Sequence, residues 1–272
     1  MKSQFKTFLL LSVLSALLII AGRLLGGPQG AVIAFIIAMV MNGVSYWFSD
    51  KIVLSRYRAK EVKPGQNERL YTIVERLVKE AHMPMPKVYI VPDNTPNAFA
   101  TGRSPKHAAV AATQGILSLL NDEELAGVMA HELSHVKNRD TLTSTVAATL
   151  VGAITFVGQM GRTSSTSRNP LVYIGVLLLP LAGMLIRMAI SRTREYEADE
   201  GGAHISGYPM GLANALNKLG RGAASIPIRN GKPSDSHLFI VNPFFGGLQS
   251  LLSTHPPMNE RIKRLQKLAN KG

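Results

Sequence analysis

Cysteine is absent from the 272 residues of this chain. Its absence excludes disulfide bonds, thiolate metal ligands and a cysteine nucleophile, and it fits a reducing compartment. Acidic residues are also scarce, since 17 Asp and Glu stand against 30 Lys and Arg and give a formal net charge of +13. No RNA-binding or DNA-binding signature accompanies this excess, so we expect no nucleic-acid partner. We assign the basic residues to membrane topology and to contact with anionic lipid headgroups.

Charge is missing altogether from four apolar stretches. Hydrophobic residues make up 46% of the chain and charged residues only 17%, and the apolar residues are concentrated in residues 7–22, 24–48, 141–161 and 169–186. Each stretch is close to the ~20 residues that cross the hydrocarbon core of a bilayer, although the first needs its flanking charges to snorkel toward the interfaces. The pattern predicts an integral membrane protein with about four transmembrane helices in two hairpins.

Three of these stretches have an alternative interpretation. The first could be a cleaved signal peptide, but a second apolar stretch follows at once, which favours a hairpin that turns at residues 23–30. The third and fourth could be buried core helices, but their length without a charge favours the bilayer. The polar residues at 141–145 leave open whether the second hairpin crosses the bilayer completely.

Lys and Arg residues near the ends of the stretches predict the orientation of the hairpins. They are frequent at the base of both hairpins and rare in the two turns. By the positive-inside rule, both termini and the soluble parts face the cytoplasm. We therefore expect a multi-pass protein of the plasma (inner) membrane, with hairpins in residues 1–50 and 141–191 and a soluble domain in residues 51–140 and 192–272.

Residues 131–135 read His-Glu-Leu-Ser-His, the HExxH pattern of zinc metalloproteases. On a helix the first and fifth positions share a face, so His131 and His135 can bind one Zn²⁺ with Glu132 beside it. Asn121 is a suitable N-cap, and Glu124 is an acid at the third helical position. Because the string arises by chance in roughly one chain per hundred of this length, an exposed helix with two unrelated histidines is the alternative.

A catalytic zinc usually takes three protein ligands and keeps one position open for water. Thr141 stands where the extended three-histidine motif has its third histidine, so a carboxylate is needed. Glu195 and Asp199 lie on one face of a predicted helix. We assign Glu195 as the third ligand and Asp199 as the acceptor for the free N–H of a ligand histidine. A solvated, charged helix start is the alternative for this segment.

Four sequence blocks together resemble the HtpX-type membrane zinc metalloproteases. These blocks are residues 131–135, 191–199, 97–102 and 254–257, the last followed by Arg261. Their order and spacing match along nearly the whole chain. The broader family also includes the CAAX prenyl-protein endopeptidases. The resemblance implies a glutamate as third ligand, a peptidase domain that faces the cytoplasm, and a role in membrane-protein quality control and the stress response.

The resemblance also implies roles for residues outside the HExxH helix. His255 becomes a candidate oxyanion stabiliser and Arg261 a structural or substrate-side cation. The segment Asn97, Ala98, Phe99 and Ala100 is expected to form an edge strand beside the active site, where an extended substrate could add as a further strand. An ordinary strand in a loop region is the alternative for this segment.

The soluble segments predict an α+β domain that is mainly α, with a small sheet. Apolar periodicity predicts an amphipathic helix at residues 68–78 and a second helix at 210–219, and a terminal amphipathic helix follows residue 257. Short strands are expected at residues 87–91 and 108–112.

The favoured function is a membrane zinc endopeptidase with one Zn²⁺ per chain. The metal would lower the pKa of its bound water toward ~7, and Glu132 would take the proton and deliver it to the leaving amine. Expected substrates are misfolded or membrane-associated proteins at the cytoplasmic face. Two alternatives are a prenyl-protein endopeptidase and a zinc-binding membrane scaffold with little catalysis. The presence of Glu132 counts against the scaffold.

Overall fold

The computed structural model describes residues 2–66, 68–144, 192–223 and 256–270. The chain divides into two compact units. The first unit comprises Met1–Ser49 and Leu142–Ala189, and the second comprises Asp50–Thr141 and Ile190–Gly272.

The described part of the first unit is a helical hairpin. Helix α1 (Lys2–Trp47) is broken at Gly26 and Gly27, and Gly27 has φ 62°, a left-handed conformation that favours glycine. The two arms approach each other, because the side-chain amide of Asn42 donates a hydrogen bond of 2.9 Å to the Ser15 hydroxyl. The predicted turn at residues 23–30 is thereby confirmed.

Within the described residues, one segment is long and apolar enough to cross a bilayer. Gly26–Val44 has 19 residues and a mean hydropathy of 1.6, whereas the first arm contributes only the shorter apolar helix Leu11–Ile20. Large apolar side chains on the second arm are exposed, as at Val32, Ile33, Phe35, Ile36, Ile37, Met39 and Val40. This surface fits contact with lipid rather than water. The third and fourth predicted spans lie outside the described residues, apart from positions 141–144.

The second unit contains a four-stranded sheet. Its strands are β1 (Lys60–Val62), β2 (Lys87–Val91), β3 (Ala98–Ser104) and β4 (His107–Thr113), in the order β1-β2-β4-β3. Strands β2 and β4 are parallel, and the two outer strands are antiparallel to their neighbours. The strands predicted from alternation correspond to β2 and β4. Strand β1 was not predicted, because its three residues carry too little pattern.

Helices supply most of the described residues of this unit, so the predicted mainly α domain with a small sheet is confirmed. They are α2 (Ser49–Arg56), α3 (Glu68–Glu80), α4 (Gln114–Leu119), α5 (Asp122–Lys137), α6 (Arg192–Ser206), α7 (Pro209–Ala223) and α8 (Met258–Ala269). Helix α5 is central, because it contacts α3, α6, α7 and the sheet. Its side chains Leu125, Val128, Met129 and Leu133 are completely buried in the main core. The HExxH sequence therefore lies on the most enclosed helix of the described domain.

A smaller core lies on the opposite face of the sheet. Successive strand residues point to opposite faces, so Ala98 and Ala100 join the main core while Phe99 joins the smaller one. There Phe99 packs with Val53 and Leu54 of α2, and its ring centroid lies 5.5 Å from that of Tyr57. Phe99 is consequently a packing residue of the domain.

The first turn of α5 is fixed by the predicted N-cap. The Asn121 side chain accepts a hydrogen bond of 2.9 Å from the Glu124 backbone N–H, and the Glu124 carboxylate accepts one of 2.9 Å from the Asn121 backbone N–H. The same carboxylate lies 2.8 Å from Lys218 Nζ on α7. Glu124 therefore caps α5 and attaches it to α7.

Glycine at position 127 allows α5 and α7 to approach closely. A Cβ atom there would collide with the backbone of Gly211 and Leu212. No side chain can replace this glycine without separating the two helices.

Replacing the buried Glu124 by alanine is expected to destabilise the peptidase unit by about 1–3 kcal/mol, because the reciprocal bond of the capping box and the half-buried ionic hydrogen bond to Lys218 are lost together. Thermal unfolding in detergent measures the effect, with the neighbouring exposed Glu123→Ala as the matched control. An equal melting temperature for both variants would contradict the role given to Glu124.

Candidate metal centre

Helix α5 carries three functional side chains on adjacent positions of one turn. The ring centroids of His131 and His135 are 4.8 Å apart, as expected for neighbours at i and i+4, and the ring planes are inclined by 87°. His131 is 2% exposed and Glu132 is 7% exposed, so both are withdrawn from bulk water. The turn thus presents two imidazoles and one carboxylate in a sheltered position.

Glu195 of α6 completes the group. Its Oε2 lies 3.9 Å from His131 Nε2 and its Oε1 lies 3.5 Å from His135 Nε2. One donor atom from each of the three side chains can be chosen so that all lie within 4.8 Å of one another. Among the residues that the structure describes, this is the cluster able to hold a metal ion.

A glycine on α6 permits this convergence. Gly202 faces the backbone of His131, and a Cβ atom added to it would lie 2.8 Å from the His131 nitrogen and 2.9 Å from its Cα. Real side chains do not tolerate such contacts, so any larger residue would push α6 away from α5. Glu195 would then move away from the two histidines.

Asp199 lies one helical turn beyond Glu195 and faces the other nitrogen of the first histidine. His131 Nδ1 is 3.0 Å from Asp199 Oδ1. Arg261 of α8 donates two hydrogen bonds to the same carboxylate, from Nε at 2.8 Å and from Nη2 at 2.6 Å. Arg261 is 2% exposed and its Nη1 lies 3.8 Å from Glu195 Oε2. Of the two roles considered for Arg261, this geometry favours the structural one.

The second histidine has a similar environment that the sequence analysis missed. His135 Nδ1 lies 3.4 Å from Asp140 Oδ2, and Asp140 Oδ1 lies 3.4 Å from Arg194 Nη1. The sequence pattern assigned neither Asp140 nor Arg194 a role at the metal centre. A general rule could have indicated such an acceptor, because each ligand histidine usually donates the N–H of its second ring nitrogen to a carboxylate, a carbonyl or water. The first carboxylate after α5 satisfies that requirement.

Burial and charge act on the pKa values of these groups in opposite directions. Burial raises the pKa of the Glu132 carboxyl above its usual range, although His131 and His135 act to lower it. For Asp199, burial is outweighed by the charge and hydrogen bonds of Arg261, which lower the pKa of that carboxyl. Glu132 is therefore the carboxyl more disposed to bind a proton, and Asp199 is held as an anion.

The predicted substrate segment has the expected place in the sheet but is not open to solvent. Strand β3 is an outer strand of the sheet, and Asn97, Ala98, Phe99 and Ala100 are all buried. The Thr113 backbone N–H donates to the Asn97 carbonyl, so by antiparallel alternation the peptide groups of Ala98 and Ala100 point away from β4. The backbone of Ala100 lies close enough to the Glu132 carboxylate to act toward lowering the pKa of that carboxyl. Strand β3 and the HExxH helix are thus in direct contact.

The predicted oxyanion stabiliser His255 lies outside the described residues. Glu197 is exposed on the far side of α6, and His82, His107 and His204 are also exposed.

Comparison with known proteins identifies the family. The model of Peptidase family M48 matches residues 64–269. A Protease HtpX homolog of Desulfatibacillum aliphaticivorans is 53% identical over 97% of this chain and 89% of its own length. A Protease HtpX homolog of Syntrophotalea carbinolica is 52% identical over 98% of this chain and 99% of its own length.

A solved structure shares the fold. The crystal structure of S. mikatae Ste24p matches with a TM-score of 0.50 and 20% sequence identity, over 86% of this chain and 57% of that chain. At this identity the likeness concerns the fold alone. The family match and the full-length relatives, taken with the converging histidines and glutamate, show that the chain belongs to peptidase family M48 and is a membrane-bound metallopeptidase.

Proposed function

We propose that the chain is a zinc endopeptidase in which His131, His135 and Glu195 bind one Zn²⁺ and Glu132 is the general base. The observation that carries this proposal is the convergence of three donor side chains from α5 and α6, with a further carboxylate beside them. If the two histidines were unrelated residues of an exposed helix, their rings would not be buried against Glu195. The Nδ1 atoms of the two rings would also not each face an aspartate.

Zinc fits this donor set. Two imidazoles and one carboxylate are the ligands of a common class of catalytic zinc site, which leaves a fourth position open. Bonds of about 2.0–2.1 Å in tetrahedral geometry separate two ligand atoms by about 3.4 Å. Glu195 Oε1 lies 3.5 Å from His135 Nε2 and Glu195 Oε2 lies 3.9 Å from His131 Nε2, and with one ligand atom taken from each residue all three atoms lie within 4.8 Å of one another. Side-chain rotations that move the ligand atoms by about 1 Å would bring them to this separation.

The chemistry divides between the metal and the chain. When bound, Zn²⁺ supplies Lewis acidity, which acidifies water and polarises a peptide carbonyl. The carboxylate of Glu132 accepts the proton of the attacking water and returns it to the leaving amine. Its raised pKa suits a group that must hold a proton between these two events. Asp199 keeps the His131 ring oriented, and we propose His255 as a further stabiliser of the developing oxyanion.

For the substrate, we propose an extended polypeptide aligned with β3. The backbone N–H and C=O of Ala98 point away from β4, and the backbone of Ala100 lies beside Glu132. A chain that adds to this edge would bring its backbone next to the general base. Recognition through backbone groups is insensitive to side-chain identity, which suits a protease of misfolded proteins.

We propose that the enzyme is a multi-pass protein of the plasma membrane with four spans and a cytoplasmic peptidase domain, and that it cuts misfolded or membrane-associated proteins as part of quality control. The apolar segment Gly26–Val44, the charge-free stretches 141–161 and 169–186, and the distribution of Lys and Arg support this topology. The peptidase domain would follow the hairpins in two pieces, residues 51–140 and 192–272.

Glu132→Gln is expected to retain zinc and to lower the hydrolysis rate of an unfolded protein substrate by at least about 100-fold, since it removes only the base. His131→Ala should lose both zinc and activity. Zinc content and cleavage are measured on the same detergent-purified samples, with the exposed Glu197→Gln as the matched control. Undiminished cleavage by Glu132→Gln would exclude the assigned base, and zinc without cleavage in the unsubstituted enzyme would favour the scaffold.

Ala98→Pro tests the substrate strand. The first residue of a strand tolerates proline, and the lost N–H points away from β4, so the sheet should survive. Loss of one backbone hydrogen bond to substrate should lower kcat/KM by about 2- to 10-fold, mainly through KM. Phe99→Pro, whose N–H points toward β4, should instead lower the melting temperature. An unchanged KM in Ala98→Pro would count against binding along β3.

The absence of cysteine allows a direct topology test. Ser165→Cys introduces a single thiol into the linker between the third and fourth stretches, and Ser118→Cys introduces one at an exposed position of the peptidase unit. A membrane-impermeant maleimide applied outside spheroplasts should label the first variant at once and the second only after lysis. Labelling of both variants in intact spheroplasts would rule out the proposed orientation.

A further inference from the structure

The Nδ1 atom of each histidine in the centre faces a carboxylate, and that carboxylate in turn lies close to an arginine. His131 faces Asp199, which is bound by Arg261. His135 faces Asp140, whose other oxygen faces Arg194. The first set was expected in part, whereas nothing in the sequence analysis assigned the second.

A left-handed residue brings Asp140 to the second histidine. If α5 continued as a regular helix, a residue five positions after His135 would point about 140° away from it. The helix instead ends at Lys137, Asn138 caps it, and Arg139 adopts φ 59°. This turn redirects the chain, so that the Asp140 carboxylate returns to the His135 ring.

Asp140 also connects the two helices that carry the metal ligands. Its Oδ1 faces Arg194, the residue directly before Glu195 at the start of α6. The side chains of Asp140 and Arg194 are only 8% and 10% exposed, so water screens their interaction little. A displaced Asp140 would therefore affect both the second histidine and the first turn of α6.

We infer that Asp140 is a positioning residue for His135 and that Arg194 holds Asp140 in place. This inference rests on the proposed function of His135 as a metal ligand. The Asp140 carboxylate accepts a hydrogen bond from the Nδ1–H of the His135 ring. The lone pair of Nε2 is then left directed at the metal.

The affinity of the detergent-purified full chain for zinc is the readout that tests the inference, measured by competition with a chromophoric chelator. Asp140→Ala should raise the dissociation constant about 10- to 100-fold, which is the usual effect of removing such an acceptor. Asp140→Asn keeps the volume and one acceptor oxygen, so it should show a smaller increase. The exposed Glu197→Ala is the control with one acid fewer.

The role of Arg194 is tested in the same assay. Arg194→Ala should also weaken zinc binding, Arg194→Lys should restore part of it, and the exposed Arg192→Ala should leave it unchanged. Since Arg194 acts through Asp140, the double variant Asp140→Ala with Arg194→Ala should bind zinc about as weakly as Asp140→Ala alone.

The outcomes separate this inference from the proposed function. If the unsubstituted chain and Glu132→Gln bind no zinc, the metal assignment itself fails. If the unsubstituted chain and Glu132→Gln bind zinc, and Asp140→Asn binds zinc with the same affinity as these two proteins, the positioning role is overturned. If Asp140→Ala does not fold, Asp140→Asn decides the question. A lowered melting temperature of the metal-free variants with unchanged zinc affinity identifies a purely structural contact and likewise overturns the inference.

Discussion

A buried carboxylate at the junction of α5, α6 and α8 constrains the rest of the peptidase unit. Asp199 lies against His131 and accepts two hydrogen bonds from Arg261. An anion in this position is costly unless a cation neutralises it, so α8 must stay docked to supply Arg261. The distant C-terminal helix thereby takes part in orienting a histidine of the HExxH turn.

Charge balance extends the same constraint to the whole centre. Four carboxylates, those of Glu132, Asp140, Glu195 and Asp199, lie close together, and the two buried arginines 194 and 261 offset only half of them. With neutral histidines and four ionised carboxylates the cluster would keep two negative charges, and the raised pKa values of Glu132 and His135 favour proton binding there when no divalent cation neutralises that charge. The enclosed position of α5 strengthens each of these interactions, because little water is present to screen them. Glycines 127 and 202 allow that enclosure.

The sequence predicted the parts of this arrangement that follow a regular period. The i, i+4 spacing of His131 and His135 and the shared face of Glu195 and Asp199 depend only on helical geometry. The position of Asp140 beside His135 depends on the left-handed conformation of Arg139. This turn has no periodic pattern in the sequence and no glycine that would indicate it. The burial of Phe99 under α2 depends on a contact between distant segments, and such contacts are not encoded in local alternation.

The central claim is that two imidazoles and one carboxylate from two helices hold a single zinc ion. X-ray absorption at the zinc edge of the purified full chain tests it most directly, because the scattering of imidazole rings identifies the number of histidine ligands. The account predicts one zinc per chain with two imidazole ligands and oxygen atoms in the remaining positions. A zinc shell without imidazole, or with three imidazoles, would contradict it.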